Sequence, residues 1–496
     1  MRGARGFRHR DLQSGIALAP SDHNRRLRPA ARSAERRNHC GLRQIGRPPG
    51  RKADRDQSRR GGSRPSGHVD ARHRRRAGDK ADPARNRRAH RLQLAEIAVT
   101  TAPWLSLIGI GEDGELSSAA RALIDAAASI FGGARHLDLA GPTKGEKVKW
   151  PSPFSIDGLL ARRGRPTAVL ASGDPFFYGV GASIAALVPP EEIFCLPAPS
   201  AFSLAAARLC WSQQDCALLS LHGRALERIA PHLQPGRRLI ALSWDETTPG
   251  RVAELLSSLG FGRSIIHVLE NLGGPRERVR AAQAEGFSLQ DTGPLNTIGI
   301  ELVAAPGARA IALTPGLPDD WFEHDGQITK RDIRAVTLSA LAPRKGEILW
   351  DIGAGSGSIG IEWLLADPAN RAVALEQDPE RAARAARNAA NLGVPDLQVI
   401  TARAPEGLVG LPPPDAIFIG GGASAPVIEA AWSALPRYGR IVVNAVTLET
   451  QALLTQAFRD HGGELVHVQI AKARPVGRFT ALDPAMPVLQ WRAAKT

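Results

Sequence analysis

Short apolar runs alternate with longer stretches of helical periodicity along most of the chain, beginning near Trp104. Runs such as 105–110 and 167–171 have the length of buried strands, and both lead into turns that contain glycine. The stretches between such runs carry apolar residues three and four positions apart, which is typical of amphipathic helices. This alternation predicts an α/β chain in which helices cover strands.

Residues 99–304 are predicted to form one mixed α/β domain. A helix is predicted from Ser117 to the pair Gly132 and Gly133, because glycine commonly ends a helix. A second helix of small residues follows the segment 197–201. The predicted strands are the apolar runs LSLIGIG, TAVLAS, EIFCL, LLSL, RRLIALSW, SIIHVLENLGGPRERV and LNTIGIELVA.

Residues 305–320 are rich in Pro and Gly and are predicted to be a linker. Residues 321–496 then repeat strand and helix as a doubly wound, Rossmann-like domain does, and ligands bind such a sheet at the carboxyl ends of its strands. A helix with Thr329 as its N-cap opens this domain. The predicted strands are EILWDI, RAVALE, LQVIT, DAIFI, GRIVVNA and finally LVHVQIAKARPVG.

Residues 1–98 lack this pattern and are dense in Arg, Gly, Ser and Pro. We predict a disordered extension, because the segment cannot bury enough apolar surface to offset its ordering entropy. It could be an Arg-rich nucleic-acid arm, a targeting peptide (which its interspersed Asp and Glu disfavour), or a stretch upstream of the true start. The chain contains only two methionines, Met1 and Met486, and Val99 precedes the first apolar run. Since GTG can serve as a bacterial start codon, we predict translation from or near Val99; an intact mass near 52.9 kDa for the natively expressed protein would contradict this.

The formal charge of +15 belongs to that extension. Residues 1–100 hold 27 Lys and Arg against 9 Asp and Glu, whereas residues 101–496 hold 37 against 40, a net charge of −3. The four cysteines (Cys40, Cys195, Cys210 and Cys216) form no C-x-x-C pair, so neither a metal site nor a disulfide framework is predicted. No apolar run approaches the roughly 18 residues of a membrane span. We therefore expect a cytoplasmic protein without a membrane partner.

The stretch ILWDIGAGSG at 348–357 places glycines at every second position after an apolar strand. Such a turn lets a nucleotide-like ligand approach backbone amides, because no side chain stands in the way. Glu376 ends the next predicted strand, where an acid can accept hydrogen bonds from ribose hydroxyls. The spacing is G-x-G-x-G rather than the G-x-G-x-x-G of dinucleotide sites, and Asp351 before the turn suits a ligand that carries an amine. The pattern favours S-adenosylmethionine (SAM).

The same region resembles the carbon-15 methyltransferase and decarboxylase family of corrin biosynthesis, whose domain is a class I SAM-dependent methyltransferase. The resemblance covers roughly residues 317–490 and rests on Thr329, Lys330 and Arg334 and on the motifs LWDIGAGSGSIGIEW, ALEQDPE, ARAPEGL, DAIFIGGG and VVNAVTLET. Arg403 departs from the pattern, since related sequences carry Gly-Asp or Gly-Glu before Ala-Pro-Glu. The SAM-binding residues that the resemblance implies are Thr329, Asp351, Gly353, Gly355, Gly357, Ser358, Glu376, Gln377, Ala404, Gly420 and Gly421.

The upstream domain is similar to the tetrapyrrole methylase superfamily, and more narrowly to its members that methylate carbon 5 of a corrin precursor. The motifs are GIGEDG, RHL, LASGDPFFYG, PAPSAFSLAAARL, SLHGR and ENLGGPRERV. The resemblance implies a two-subdomain fold with a second SAM in the cleft between them. The implied cofactor-binding residues are Gly109, Gly111, Gly173, Asp174, Pro175, Tyr178 and Ser200. Asp174 could instead be an ordinary turn residue before proline.

The two resemblances together imply an enzyme that methylates precorrin-6B at carbons 5 and 15 and removes the carboxylate of its ring C acetate, giving precorrin-8X. They imply one SAM per domain, no metal and a homo-oligomer. Peripheral carboxylates of a tetrapyrrole require Arg or Lys partners. The candidates are Arg224, Arg334, Lys472 and Arg474, with Arg135 and Arg478 as further possibilities. No catalytic acid or base is nominated, because a reduced tetrapyrrole is already nucleophilic at its meso carbons.

A SAM-dependent RNA methyltransferase with a basic RNA-binding arm is the alternative function. The near-neutral charge of residues 101–496 and the second SAM domain argue against it. Salt-dependent RNA binding by a chain that starts at Val99 would favour it.

Overall fold

The structure, a computed structural model, describes residues 103–496. These residues form three β-sheets, one separate β-hairpin and eleven α-helices. The predictions for residues 1–98 and for a start at Val99 fall outside the described residues.

The first sheet has five parallel strands in the order β3-β2-β4-β1-β5. Its strands are β1 Leu105–Ile110, β2 Ser129–Gly132, β3 Glu146–Lys149, β4 Thr167–Ser172 and β5 Ile193–Leu196. Its helices are α1 Ser118–Ala126, α2 Ala134–Leu139, α3 Asp157–Leu160, α4 Gly181–Ala185 and α5 Ala201–Leu209.

One helix prediction in this region is wrong at its end. The helix predicted to reach Gly132 stops at Ala126, and the backbone of Ala127 is extended. The four residues that follow from Ser129 are all buried and form β2 between β3 and β4. Their burial on both faces in the sheet outweighs the helical propensity of the preceding alanines.

The second sheet is mixed, with the order β6-β7-β10-β8-β9. Its strands are β6 Cys216–Ser220, β7 Arg238–Leu242, β8 Ile265–Glu270, β9 Arg278–Gln283 and β10 Asn296–Glu301, and its helix is α6 Thr248–Ser258. Strand β10 runs antiparallel to both of its neighbours. The run predicted as one strand from Ser264 to Val279 folds back on itself as β8, a turn and β9. The two sheets confirm the predicted architecture of two α/β subdomains.

The third sheet has seven strands in the order β13-β12-β11-β14-β15-β19-β16 and confirms the doubly wound prediction. Its strands are β11 Ile348–Ile352, β12 Arg371–Glu376, β13 Gln398–Thr401, β14 Ala416–Ile419, β15 Arg440–Ala445, β16 Glu464–Val468 and β19 Val488–Ala494. Its helices are α7 Arg331–Leu341, α8 Ser358–Ala366, α9 Pro379–Asn391, α10 Ala425–Ala434 and α11 Leu448–His461. The run LVHVQIAKARPVG, predicted as one last strand, forms most of β16 and then β17 Ala471–Val476, which pairs with β18 Phe479–Pro484 in an exposed hairpin. The sequence did not predict β18 or β19.

The segment 305–320 is not a free linker. Ile311 and Leu317 are buried in the core that also contains Leu338 of α7 and Trp363 of α8. This segment is therefore part of the packed structure, although its Pro and Gly content prevents regular helix or strand.

Thr329 is not the N-cap of the first helix of this domain. Helix α7 begins at Arg331, and its N-cap position is held by Lys330, whose side chain makes no capping hydrogen bond within the described residues. The carbonyl oxygen of Thr329 instead accepts a hydrogen bond from Arg334 Nη1 at 2.5 Å.

Candidate active sites

A cavity of about 1270 Å³ opens at the carboxyl ends of β11, β12, β14 and β15. Its volume exceeds the roughly 300–1,000 Å³ typical of small-molecule sites, so it has room for a small ligand together with part of a larger one. The residues predicted from the sequence that line it are Thr329, Gly353, Gly355, Glu376, Gln377, Ala404, Gly420, Gly421 and Lys472.

The floor of this cavity requires glycine at position 353. Gly353 has φ +70°, and a Cβ atom there would lie 2.4 Å from the carbonyl oxygen of Gly421. The turns after β11 and β14 therefore touch backbone to backbone. Gly355 also has a positive φ, +58°, which side-chain-bearing residues rarely adopt.

Glu376 is the buried acid of the cavity wall. Its Oε2 accepts from the backbone N–H of Gly355 at 2.8 Å, and its Oε1 accepts from the N–H of Asp378 at 3.0 Å. A carboxylate has about four acceptor positions, so two remain for a ligand. A fixed acid beside a glycine turn fits the ribose hydroxyls of SAM.

Three predicted cofactor residues lie outside the cavity lining. Asp351 is fully buried between β11 and α8, where its Oδ2 accepts from the N–H of Gly360 at 2.9 Å. Gly357 allows close packing, because a Cβ atom there would lie 3.0 Å from that of Ala385. Ser358 is the buried first residue of α8. The expectation that Asp351 meets the amine of a ligand is therefore corrected: its carboxylate binds the first turn of α8.

Burial is the main cause that raises the pKa of Asp351 to about 7; the hydrogen bond from Gly360 N–H acts against it, and the nearby Glu376 carboxylate acts with it. Asp351 Oδ1 has no hydrogen-bond partner among the described residues, which makes the charged form costly.

The Asp351→Asn variant is expected to change how stability depends on pH. The pKa of Asp351 in the folded chain lies above the unfolded value of about 3.9, so the folded chain binds the proton more tightly. The free energy of unfolding therefore falls as the pH rises from the unfolded pKa through the folded pKa. For Asp351 this loss amounts to roughly 2–4 kcal/mol by pH 8. Thermal unfolding at pH 5 and pH 8 should show Asp351→Asn gaining stability relative to wild type at the higher pH. If the stability of the two proteins changed by the same amount between pH 5 and pH 8, the prediction would be contradicted.

Arg334 is not available to a substrate carboxylate. Its side chain is fully buried, and its guanidinium donates to Glu362 Oε1 at 2.6 Å and to Asp319 Oδ1 at 3.1 Å. Its remaining hydrogen bonds go to the carbonyl oxygens of Leu317 and Thr329. The prediction of Arg334 as a substrate residue is wrong for this reason.

The other candidate cations of this domain differ in position. Lys472 lines the cavity, and its Nζ lies 3.2 Å from Asp332 Oδ2. Arg474 is exposed on the hairpin and pairs with Asp483 at 3.3 Å. Arg478 stacks on the ring of Phe479 at the turn of the same hairpin.

Sequence reasoning missed part of the cavity wall. The further lining residues include Asp332, Ile333, Arg381, Arg403, Asn444, Val446, Ile470, Met486 and Val488. Asn444 stands in the motif VVNAVTLET at the end of β15, so the strand-end rule could have identified it. Met486 and Val488 belong to the region of β19, which the hydrophobic pattern did not predict.

In the first domain, the loops after β1, β4 and β5 meet, as the resemblance implied. A Cβ atom on Gly109 would lie 1.9 Å from the carbonyl oxygen of Gly173 and 2.4 Å from the amide nitrogen of Ala198. Backbone hydrogen bonds join the same loops, from Gly173 N–H to Ile110 at 3.2 Å and from Ala198 N–H to Gly173 at 3.0 Å. Gly111 follows directly on β1 at this junction.

Two polar residues of these loops have structural partners. Asp174 Oδ1 accepts from the N–H of Phe176 at 2.8 Å, so Asp174 is the turn residue that the sequence left as an alternative. Ser200 is the N-cap of α5 and accepts from the N–H of Ser203 at 3.2 Å. Pro175 is buried, and its carbonyl oxygen accepts from Gly181 N–H at 2.8 Å.

Arg224 and Tyr178 lie together at the surface of this domain. The Arg224 guanidinium stacks over the Tyr178 ring at 5.3 Å from its centre. Tyr178 has φ +57° and donates from its hydroxyl to the carbonyl oxygen of Leu218 at 3.2 Å. An exposed cation on an aromatic platform can pair with a ligand carboxylate.

A polar cluster beside the same loops was only partly predicted. Arg135 donates to Ser172 Oγ at 2.9 Å and pairs with Glu112. His136 Nε2 lies 2.8 Å from the same Ser172 oxygen. Burial, reinforced by the Arg135 charge, lowers the pKa of His136 to about 4, so this imidazole is neutral near pH 7.

Metal and membrane features are absent from the described part of the chain. Residues 103–496 hold no group of three or more His, Cys, Asp or Glu side chains placed to bind a metal ion. Within the same residues, every helix is too short or too polar to cross a bilayer.

The seven-stranded sheet, its glycine turn and the acid after its second strand define a class I SAM-dependent methyltransferase, preceded here by a tetrapyrrole methylase domain. Residues 107–287 match the family described as Tetrapyrrole (Corrin/Porphyrin) Methylases, and residues 320–495 match Precorrin methyltransferase domain. The chain belongs to the family of precorrin-6Y C(5,15)-methyltransferases (decarboxylating).

Three relatives illustrate this membership. The family member from Sinorhizobium sp. is 54% identical over 399 residues, which cover 79% of this chain and 97% of the relative. The member from Mycobacterium tuberculosis (strain CDC 1551 / Oshkosh) is 39% identical over 400 residues, covering 78% and 99%. A probable cobalt-precorrin-6B C(15)-methyltransferase (decarboxylating) from Pyrobaculum calidifontis is 36% identical over 183 residues, covering 35% of this chain and 93% of the relative.

Proposed function

We propose that this chain transfers two methyl groups from SAM to precorrin-6B, at carbons 5 and 15, and removes carbon dioxide from the ring C acetate, giving precorrin-8X. The observation that carries the proposal is the large cavity whose wall joins the glycine turn at Gly353, the buried acid Glu376 and the cation Lys472. Membership of a decarboxylating C(5,15)-methyltransferase family supports both the substrate class and the reaction.

The cavity of the C-terminal domain is proposed to hold one SAM. Glu376 accepts from the ribose hydroxyls, while the turns at Gly353–Gly355 and Gly420–Gly421 leave room for the ligand against the backbone. Gln377, Ala404 and Thr329 complete this wall. SAM supplies an electrophilic methyl group. The chain holds that methyl in line with the macrocycle carbon and excludes water, which can remove several kcal/mol of the barrier.

A second SAM is proposed at the loops of the N-terminal domain. Gly109, Gly111 and Gly173 permit the close junction of these loops, and Asp174, Pro175 and Ser200 fix their shape through the hydrogen bonds described above. Tyr178 and Arg224 stand beside them. We propose that Arg224 binds a carboxylate of the macrocycle at this site, and that Lys472 does so at the other.

Incubation of the full chain with SAM and precorrin-6B tests the proposal. Mass spectrometry should show a product that has gained two methyl groups and lost one carbon dioxide. An unchanged macrocycle mass, in the presence of a chain that binds SAM, would contradict it.

The predicted homo-oligomer and the predicted absence of nucleic-acid, membrane and metal partners remain part of this proposal, as does a cytoplasmic location. Exposed apolar side chains on the hairpin, Phe479 and Leu482, support self-association, because apolar patches commonly mark contact surfaces. Light scattering that gives the mass of a single chain would contradict the oligomer.

A further inference from the structure

A hydrogen-bonded group of three neutral side chains forms one wall of the C-terminal cavity. Asn444, near the end of β15, lines the cavity. Gln490 of β19 stands directly opposite it in the antiparallel register, and Thr337 of α7 packs against both. Gln490 and Thr337 are fully buried.

The partners of this group fix the direction of its hydrogen bonds. The Thr337 hydroxyl donates to the carbonyl oxygen of Ile333 at 2.8 Å, so its lone pairs must accept from the two amides. Gln490 Oε1 accepts from Arg492 Nε at 2.6 Å, which turns Gln490 Nε2 toward the other two members. Both hydrogens of that amide are then used, on Asn444 Oδ1 at 2.7 Å and on Thr337 Oγ1 at 3.0 Å.

The orientation of Asn444 follows from these bonds. Its Oδ1 accepts from Gln490, so its Nδ2 faces Thr337 and donates one hydrogen there at 3.0 Å. The second Nδ2 hydrogen is left for the cavity that Asn444 lines. The opposite orientation would place two amide N–H groups against each other and is excluded. The wall therefore presents a neutral, pre-oriented hydrogen-bond donor.

Apolar side chains at neighbouring positions of the same three segments line the cavity with this donor. Strand alternation places Val446 on the same face as Asn444, and Val488 on the same face as Gln490. Ile333, one helical turn before Thr337, lines the cavity beside them. Of the cations that line the same cavity, Lys472 pairs with Asp332 and Arg381 pairs with Asp325, whereas Lys330 and Arg403 stand in the turns before α7 and after β13.

We propose that Asn444 donates a hydrogen bond to the acetate carboxylate that is lost, and that Gln490 is a positioning residue acting through Asn444. This inference rests on the function proposed above. A carboxylate destined to leave must be oriented, but a cation would stabilise its charge in the ground state and oppose its loss. A neutral donor whose direction is fixed by Gln490 and Thr337 meets both requirements. The bond from the acetate methylene to the carboxyl carbon breaks, carbon dioxide leaves, the macrocycle takes up the electron pair, and a proton from solvent completes the methyl group.

The test compares wild type with Asn444→Ala, Asn444→Asp and Gln490→Ala in the full chain. Wild type must first give two methylations and loss of carbon dioxide. If wild type does not, the proposed function itself fails, and that result is distinct from any result with the variants. For Asn444→Ala we expect carbon dioxide loss to slow roughly 10- to 100-fold, the size of one hydrogen bond to a charged group. Carbon-5 methylation and SAM affinity should stay within about twofold, since neither uses this wall.

Asn444→Asp should be slower than Asn444→Ala, because its carboxylate repels that of the substrate. Gln490→Ala should lower kcat for decarboxylation more than it raises KM, because Asn444 keeps its bond to Thr337 but loses the bond to Oδ1 that decides which way its amide faces. The matched control is Gln456→Ala, which removes an exposed amide on α11 that, within residues 103–496, donates to Asp460 alone. Unchanged decarboxylation in Asn444→Ala would overturn the proposal. So would a proportional fall of SAM affinity, both methylations and thermal stability, since that would indicate a purely structural role.

Discussion

Arg334→Ala is expected to lower the free energy of unfolding by roughly 3–5 kcal/mol. Arg334 is fully buried and donates to Glu362 Oε1 at 2.6 Å. Glu362 is itself buried, and its carboxylate also accepts from the N–H groups of Gly316 and Leu317 at 2.6 and 3.0 Å. Removing the guanidinium leaves a buried carboxylate without its cation, together with carbonyl groups that lose their donor.

The Arg334→Ala substitution should also affect the cavity. Arg334 bonds to the carbonyl oxygens of Leu317 and Thr329, so it ties the segment that precedes α7 to α7 itself. Because Thr329 lines the cavity, we expect SAM affinity to fall with stability. Arg334→Lys should lie between wild type and alanine, since an ammonium keeps the charge but cannot supply the planar set of five N–H donors.

Arg344→Ala is the matched control for this prediction. Arg344 is two-thirds exposed, and its guanidinium lies 4.0 Å from Glu347. An exposed pair of this kind contributes about 1 kcal/mol or less. Denaturant unfolding measures all three variants. An Arg334→Ala protein as stable as Arg344→Ala would contradict the prediction.

The glycine turn and the acid of the C-terminal cavity could be predicted because they depend on local rules. A parallel strand must end where the helix crossover begins, and the carboxyl ends of such strands meet at one edge of the sheet. Gly353, Glu376 and Gly420 follow three apolar runs, so the chain pattern alone brought them together. The exact face of Asp351 was not decided by that rule: it lies within β11, and its side chain points toward α8 rather than toward the cavity.

Other features depended on contacts between distant parts of the chain. A charged residue such as Arg334 in an amphipathic helix is expected at the surface. Its burial is possible because Glu362, on the next helix, supplies the opposite charge. Strand β19 inserts between β15 and β16, so the last strand of the chain does not take the edge of the sheet. That insertion brings Gln490 to Asn444. No periodicity in the sequence indicates such an order.

The exposed hairpin was only partly predicted, for a different reason. Strands β17 and β18 are exposed along their whole length, and they carry Lys472, Arg474, Pro475 and Asp483. The residues of β17 alternate from Ala471 to Arg474, whereas those of β18 do not, and neither strand has a buried face. The sequence pattern therefore merged β17 with β16 and gave no signal for β18. Their mutual hydrogen bonds hold the hairpin together.

Gly353→Ala is expected to reduce carbon-15 methylation and decarboxylation by about 100-fold or more, a loss that follows from misplacing reacting groups by about 1 Å. The new Cβ atom would lie 2.4 Å from the carbonyl oxygen and 2.8 Å from the carbonyl carbon of Gly421. Both are backbone atoms, so the clash can be relieved only by separating the turns after β11 and β14. Those two turns form the cavity floor, and the positive φ of Gly353 adds backbone strain to the displacement.

The N-terminal site provides the internal reference for this variant, because its loops at Gly109 and Gly173 belong to another sheet. We expect Gly353→Ala to release a macrocycle with one added methyl group and its acetate carboxylate intact. Gly346→Ala is the matched control: Gly346 has φ +83° and stands just before β11, and no heavy atom of the described residues lies within 4 Å of the position of a Cβ atom there. It carries the same backbone strain without the clash, so its products should remain those of wild type. If Gly353→Ala also gave the doubly methylated, decarboxylated product at the wild-type rate, the cavity between β11 and β14 could not be the carbon-15 site, because its floor cannot keep its shape with a side chain at that position.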